Sequence, residues 1–523
     1  MLRLPVGLIA LAVIFLWPGI VGPGFDAAVF TLIAFRIRAG DMPYRDVWDH
    51  KPPGIFLADA SVQSLLPWLD PWTPVWLLSV VCAAALGLVV AFALRTNGHP
   101  RLAPWCGFAT TITVAAVPIS YGGGQTELVA AVPAAAAVVA LSRRGGPAIT
   151  FGAGALIGVA LSTSWHLAPA AAVALALVLQ GTDKWRRAVL LAAGTSAVGA
   201  AVAFWLVAGG AWSDAVDALL TYNAAYRAAN FLDPVIKLSP SAAAAFLAFA
   251  AFLGLTAMIG RPPRGLFVAA AAWIGLSVAM FVFEGRLGAH YLASIAVPLG
   301  LLAGPGLALV APRRSSGVTA VGRVSAQLLL ISAAAISGFF IVYWTQTLGE
   351  IYATRASSLR DVAGWLRTVD CSETLLVWGH APEIYYMSGL RPASRYVYFL
   401  PLMTDGYVTA DRVADVEKDL NILRPAAIID ASSWGGTFAT YPLFGPGLTT
   451  VGEERYVDRL EPLRDRIRSQ YVFALDFAGW PAYILAEENT SPPAISPHQR
   501  DGVGEPLQCG PSRALRAGRG DRW

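Results

Sequence analysis

Of 523 residues, 56% are hydrophobic and only 14% charged, with a mean hydropathy of +0.56, whereas an average soluble domain is about one-quarter charged. The composition is that of a polytopic membrane protein. The formal net charge of +4 is small for this length, and the basic residues fall in scattered pairs between apolar runs, which excludes a nucleic-acid-binding stripe.

Apolar stretches near the roughly 20 residues that span a bilayer begin at Leu4, Pro74, Leu102, Glu127, Ala148, Leu167, Ala188, Ser241, Phe267, Tyr291 and Leu328. This predicts about eleven transmembrane helices. Basic clusters alternate between them: Arg3; Arg95 and Arg101; Arg143 and Arg144; Lys184, Arg186 and Arg187; Arg261 and Arg264; Arg313, Arg314 and Arg323. The positive-inside rule makes these segments cytoplasmic and leaves residues 24–70, 121–127, 211–240, 284–290 and everything after Leu348 outside. The first segment has no small-x-small cleavage site after it, so it reads as a span and not a signal peptide. Ser162 to His166 interrupt the apolar run that starts near Ala148, which predicts two shorter helices meeting at the outer side.

The first outer loop holds the densest chemistry. Asp26 stands just outside the first span, Ala27 to Arg38 follow a helical period, and the loop ends in D-H-K-P-P-G from Asp49 to Gly54. The period of Val29, Ile33 and Ile37 suggests an amphipathic helix lying in the outer headgroup region. Ionisable residues beside lipid are costly and mark a candidate site. Each also has a plainer reading: Asp26 as an N-cap, and Lys51-Pro52-Pro53 as a helix restart with a snorkelling lysine.

Three further outer segments carry candidates. Glu127 follows Y-G-G-G-Q-T, where an acid would also suit a helix start. His166 lies in an apolar span, where a packing role is the alternative. Arg286 and His290 belong to E-G-R-L-G-A-H-Y, four residues apart and so on one face if helical; an interfacial anchor pair is the plainer reading.

From about residue 356 the charges return, and helical patterns alternate with short β-rich runs. SSLRDVAGWLRTV, ADRVADVEKDLNIL and RLEPLRDRIRSQ read as helices, and TLLVWG, PAAIIDAS, YVFALDF and PAYILAE as strands. The chain therefore divides into a transmembrane module (1–348, with the first outer loop at 24–70), an extracytoplasmic α/β domain (349–490) and a polar tail (491–523) read as mobile. Cys82 and Cys106 fall in spans. Cys371 and Cys509 lie in the outer compartment, which permits a disulfide between them.

The acid after the first span, G-x-x-P-Y-R-D and D-H-K-P-P-G together resemble the first extracytoplasmic loop of the GT-C lipid-linked-sugar glycosyltransferases. The bacterial relatives of the protein O-mannosyltransferases and the lipid A aminoarabinose transferases are the most similar. The resemblance covers roughly residues 1–300. It implies a polytopic α-helical fold, a polyprenyl-phosphate-linked sugar donor, and inverting transfer to a hydroxyl of a glycan, lipid or protein at the outer face of the plasma membrane.

Carried over to this chain, Asp26 matches the catalytic aspartate and Lys51 the lysine of the K-P-P motif. Glu127 matches a T-E segment, and R-x-x-x-H-Y places Arg286 and His290 at the donor phosphate. Asp49, His50, Glu127 and His166 are expected to bind substrate. The segments around Trp378 and Pro392 resemble outer domains of bacterial members, which would set Arg395 near the lipid phosphate. Ala27 stands where many members carry a second acid, and His50 where the aminoarabinose transferases carry Glu; these departures leave a divalent cation and the sugar open. The chain has no G-x-x-x-x-G-K-[ST], H-E-x-x-H or C-x-x-C, so ATP-driven transport, zinc hydrolysis and thioredoxin-like redox chemistry lack their signatures. The rival classes are a lipid or sugar flippase, for which paired internal repeats are not evident, and a scaffold, which leaves the acid–base loop without a purpose.

Overall fold

The structure, a computed structural model, describes residues 3–143, 145–181, 183–230, 265–284, 289–310, 357–369, 373–432, 443, 454–477 and 479–486. Arg286, Cys371, Cys509, the tail and the spans expected near Ser241 and Leu328 lie outside the described residues.

Helices make up the N-terminal module: α1 (Arg3–Leu16), α2 (Phe25–Arg38), α3 (Gly54–Leu65), α4 (Trp72–Thr96), α5 (Ala103–Ala115), α6 (Val117–Ser120) and α7 (Thr126–Ser142). After these come α8 (Pro147–Thr163), α9 (Ala168–Leu179), α10 (Lys184–Ala208), α11 (Trp212–Val216), α12 (Asn223–Asn230), α13 (Leu266–Glu284) and α14 (Ala293–Val310). Among the described residues α4 and α10 are long and apolar enough to cross a membrane alone, and shorter apolar helices accompany them. The expected break after Ala148 is present: α8 ends at Thr163, Trp165–Leu167 form a 3₁₀ turn, and α9 begins at Ala168.

The bundle core joins α1, α4, α5, α7, α9, α13 and α14 through aliphatic and small side chains such as Leu86, Val90, Ala131 and Leu299. Small residues let the backbones approach. A Cβ at Gly107 of α5 would come within 2.7 Å of the Gly87 carbonyl oxygen on α4, closer than real side chains tolerate.

The C-terminal domain begins with a helix over residues 357–366, here α15. A five-stranded sheet follows in the order β2-β1-β3-β5-β4: β1 (Thr374–Gly379), β2 (Arg391–Pro392), β3 (Ala427–Ala431), β4 (Tyr471–Asp476) and β5 (Pro481–Leu485). β1 runs parallel to β2 and β3, and β5 lies antiparallel between β3 and β4. The strands β1 and β3 are buried throughout, which explains their unbroken apolar runs. The helices α16 (Glu383–Ser388), α17 (Leu400–Met403), α18 (Ala410–Leu423) and α19 (Glu454–Gln470) complete it. Thr409 caps α18, its side-chain oxygen accepting from the Arg412 N–H. Each helix and strand expected from the sequence in this domain is present, and the short elements β2, α16 and α17 are added to them.

α2 departs from expectation. Residues 27–34 are all buried, so it is not a helix lying in the headgroup region with one wet face. It shares a core with the C-terminal domain, in which Val29, Phe30, Ile33 and Trp48 join Leu376, Trp378 and Tyr385. The apolar stripe that suggested lipid is covered by protein.

Candidate active site

The segment 48–51 is fixed residue by residue, as a backbone of irregular shape must be. The Trp48 N–H donates to the Arg395 carbonyl at 2.8 Å. Asp49 Oδ1 accepts the Lys51 N–H at 2.7 Å and its Oδ2 accepts the Tyr398 hydroxyl at 2.9 Å. Asn223 Nδ2 donates to the His50 carbonyl at 3.0 Å, and the Tyr44 hydroxyl to the Lys51 carbonyl at 2.8 Å. Tyr44 reaches that position with φ at 70°, a left-handed conformation that costs a non-glycine residue on the order of 1 kcal/mol or more. Its fully buried ring and the Pro43–Val47 bridge hold it there.

Lys51 is followed by two prolines and by Gly54, the first residue of α3. A Cβ at Gly54 would meet the Ser162 carbonyl oxygen at 2.5 Å and Thr163 Oγ1 at 2.6 Å. Only glycine therefore lets α3 start against the C-terminus of α8. That contact brings the K-P-P-G turn beside the α8–α9 break, where Ser164 and His166 lie.

Asp26 occupies the first turn of α2, but Gly24 is the N-cap and no side-chain capping bond forms. The capping role that could have explained this acid is thus filled by another residue. Asp26 is half-buried, and its charge reaches Lys51, Asp49, Tyr121, Tyr398 and His290. Ala27, beside it, is fully buried and abuts Gly124, where an added Cβ would lie 2.6 Å from the alanine methyl. The Y-G-G-G turn is thereby packed onto the start of α2, and a second acid at position 27 would have no room.

Glu127 and His166 are brought together. Glu127 is fully buried; its Oε1 lies 3.0 Å from His166 Nδ1 and accepts the Ser164 hydroxyl at 3.1 Å. Its Oε2 and both ring nitrogens of His290 are buried with no hydrogen-bond partner among the described residues. Buried polar atoms are normally satisfied, and the described residues supply no partner for these. Tyr291 stacks on His166 at 3.9 Å and lies beneath Lys51 Nζ, 6.0 Å from its ring centre.

The charges tune one another. Burial drives the Asp49 carboxyl up to about 6 against its bonds from Lys51 and Tyr398, with Asp26 adding to the rise. Burial disfavours the Lys51 ammonium, but Tyr291, Glu127, Asp26 and Asp49 more than offset it and hold its pKa above the ordinary lysine value. Lys51 is therefore a fixed cation and Asp49 a carboxylate that titrates in the working range.

Asp26, Asp49, Lys51, Glu127, His166 and His290, drawn from four sequence segments, thus share one neighbourhood. The His50 ring packs in an aromatic box, with Tyr222 and Tyr226 ring centres at 5.1 and 5.6 Å, and its Nδ1 lies 3.9 Å from Asp49 Oδ1. Arg395 is not placed among the site's cations: its guanidinium pairs with Asp214 at 2.8 Å, and its carbonyl holds Trp48. Among the described residues no group of three or more His, Cys, Asp or Glu stands ready to hold a metal ion. The sequence reading missed Tyr44, Ser164, Asn223 and Tyr398 as residues that shape this neighbourhood. The aromatic crowding of R-Y-V-Y-F from Arg395 is a signal for Tyr398 alone.

This architecture, a helical bundle with its first loop roofed by a C-terminal α/β domain, has counterparts among solved structures. The chain superposes on the crystal structure of ArnT from Cupriavidus metallidurans bound to undecaprenyl phosphate with a TM-score of 0.59 at 16% identity, covering 91% of this chain and 97% of that one. The apo state of the same protein gives 0.54 at 17% identity over the same shares. No family model matches the chain, and no curated protein matches it in sequence.

Proposed function

We propose that the protein is a membrane glycosyltransferase that moves a sugar from a polyprenyl-phosphate-linked donor to a hydroxyl acceptor at the outer membrane face, with inversion. The observation that carries this reading is that Asp26 and Lys51 feel each other's charge beside Glu127 Oε2 and the His290 ring nitrogens, buried polar atoms with no hydrogen-bond partner among the described residues. The GT-C fold, shared with a protein crystallised with undecaprenyl phosphate, supports it.

In the reaction the acceptor oxygen attacks the sugar C1 while the Asp26 carboxylate takes its proton. The bond from C1 to the phosphate oxygen breaks, and its electron pair stays on the lipid phosphate. Lys51, charged at any working pH, meets that growing charge; Arg286 and His290 are the further candidates for the same task. Displacement from the face opposite the leaving phosphate inverts C1. Glu127 Oε2 is suited to a sugar hydroxyl, and Ser164 and His166 orient Glu127 through Oε1. Nothing in the scheme consumes ATP, because the donor linkage supplies the energy.

The test is to incubate purified protein with a panel of polyprenyl-phosphate sugars and hydroxyl acceptors and to measure lipid phosphate release. Release with transfer is expected and identifies the sugar. Binding or bilayer translocation of the intact donor without release would mark a transporter instead.

A further inference from the structure

Tyr398 belongs to the C-terminal domain, yet its hydroxyl reaches the first loop. It donates to Asp49 Oδ2 at 2.9 Å, and His50 Nδ1 lies 3.4 Å from it. Its ring stands edge-on to Phe25, the residue before Asp26, with centres 5.5 Å apart. One side chain therefore touches both the start of the helix that carries Asp26 and the turn that carries Lys51.

The fold explains why it arrives there. β1 ends at Gly379, and the Phe399 N–H donates back to the Gly379 carbonyl at 3.4 Å, so Tyr398 stands over the carboxyl end of the parallel strands, where open α/β sheets gather their functional residues. His380, next after β1, packs edge-on against Phe25 at 4.8 Å. Burial, Asp49 and the other acids nearby keep the Tyr398 hydroxyl protonated at any working pH, so it is a permanent donor. The Asp49 carboxylate passes the constraint on: the oxygen opposite Tyr398 accepts the Lys51 N–H.

We infer, on the transfer reaction proposed above, that Tyr398 is a positioning residue through which the C-terminal domain sets Lys51 against Asp26, so that the domain is part of the active site. Tyr398 touches no reacting atom; it acts through Asp49. Removing the hydroxyl leaves the ring packing intact, deprives Asp49 of a bond that favours its charged form, and frees the turn.

The experiment compares wild type, Tyr398→Phe, Asp49→Asn and the double variant in full-length protein. The readouts are kcat and donor KM across pH, with thermal unfolding as a check on the fold. Tyr398→Phe is expected to lower kcat roughly 10-fold or more with donor KM within about twofold. It should also move the acid limb of the profile up by roughly one pH unit, the scale of one hydrogen bond to a charged group. In the Asp49→Asn background the same change should add little, because both act through one carboxylate. If Tyr398→Phe unfolds at the wild-type temperature and keeps the wild-type kcat and acid limb, the assignment is overturned. A loss of kcat that is equally large in the Asp49→Asn background overturns it too. A wild type that releases no lipid phosphate instead overturns the underlying transfer reaction.

Discussion

The bundle and the joint between first loop and C-terminal domain are both buried, but different forces hold them. In the bundle, Ala, Val, Leu and Gly pack α4 against α5 closely enough that Gly87 and Gly107 touch backbone. Specificity there is shape, since lipid offers no hydrophobic driving force between helices. In the joint, Trp48 sits among Tyr222, Tyr396, Tyr398 and Tyr407, and polar bonds cross between distant segments. Tyr407 donates to Asp217 at 2.6 Å, Arg412 pairs with the same acid, and Arg45 donates to the Gly209 carbonyl. A joint of directed bonds is either made or broken. The proposed chemistry sits at the joint, which suits a site that must hold Lys51 and Asp26 at a set separation.

The sharpest break of that contrast is chemical loss without structural loss. Asp26→Asn keeps the shape of the first turn of α2, and no capping bond is lost; transfer should fall roughly 100-fold or more, as for a removed general base, with the unfolding temperature kept. Near-normal turnover would remove Asp26 from the mechanism. Lys51→Met retains the stem on Tyr291 and removes the cation, and kcat should drop by about 100-fold or more, measured with saturating donor.

Gly107→Val tests the other side. Overpacking against Gly87 should cost about 1–3 kcal/mol of stability, seen as earlier thermal unfolding, while the enzyme that remains folded turns over normally. Equal damage to turnover per folded molecule would mean that bundle and joint are not separable.

The pH profile sharpens the comparison further. Asp49 carries a raised pKa of about 6, so it is neutral below that pH and charged above, and activity should fall as pH drops through about 6. Asp49→Asn should flatten that limb. For stability the sign is opposite: the unfolded carboxyl ionises near its ordinary 3.8, so stability falls as pH rises from about 4 to about 6 and is level above. The smallest effect is expected from Arg395→Gln, whose partly exposed pair with Asp214 should be worth under about 1 kcal/mol, with transfer little changed.

Membrane class, the placing of most described helices, the break near Ser164 and the main strands of the C-terminal domain were legible in the chain, because each is a local matter of hydropathy, period or breaker residues. Asp26, Lys51 and Glu127 were legible as ionisable residues out of place beside apolar runs. The burial of α2 was not, because an apolar stripe looks the same against lipid as against protein, and only the C-terminal domain over Phe30 and Trp48 decides which it meets. Nor could spacing show that Arg395 would turn to Asp214, or that Tyr398 would bond Asp49 across 349 residues. Those contacts depend on where distant parts of the chain meet, and a sequence pattern with periods of two or 3.6 residues carries no record of that.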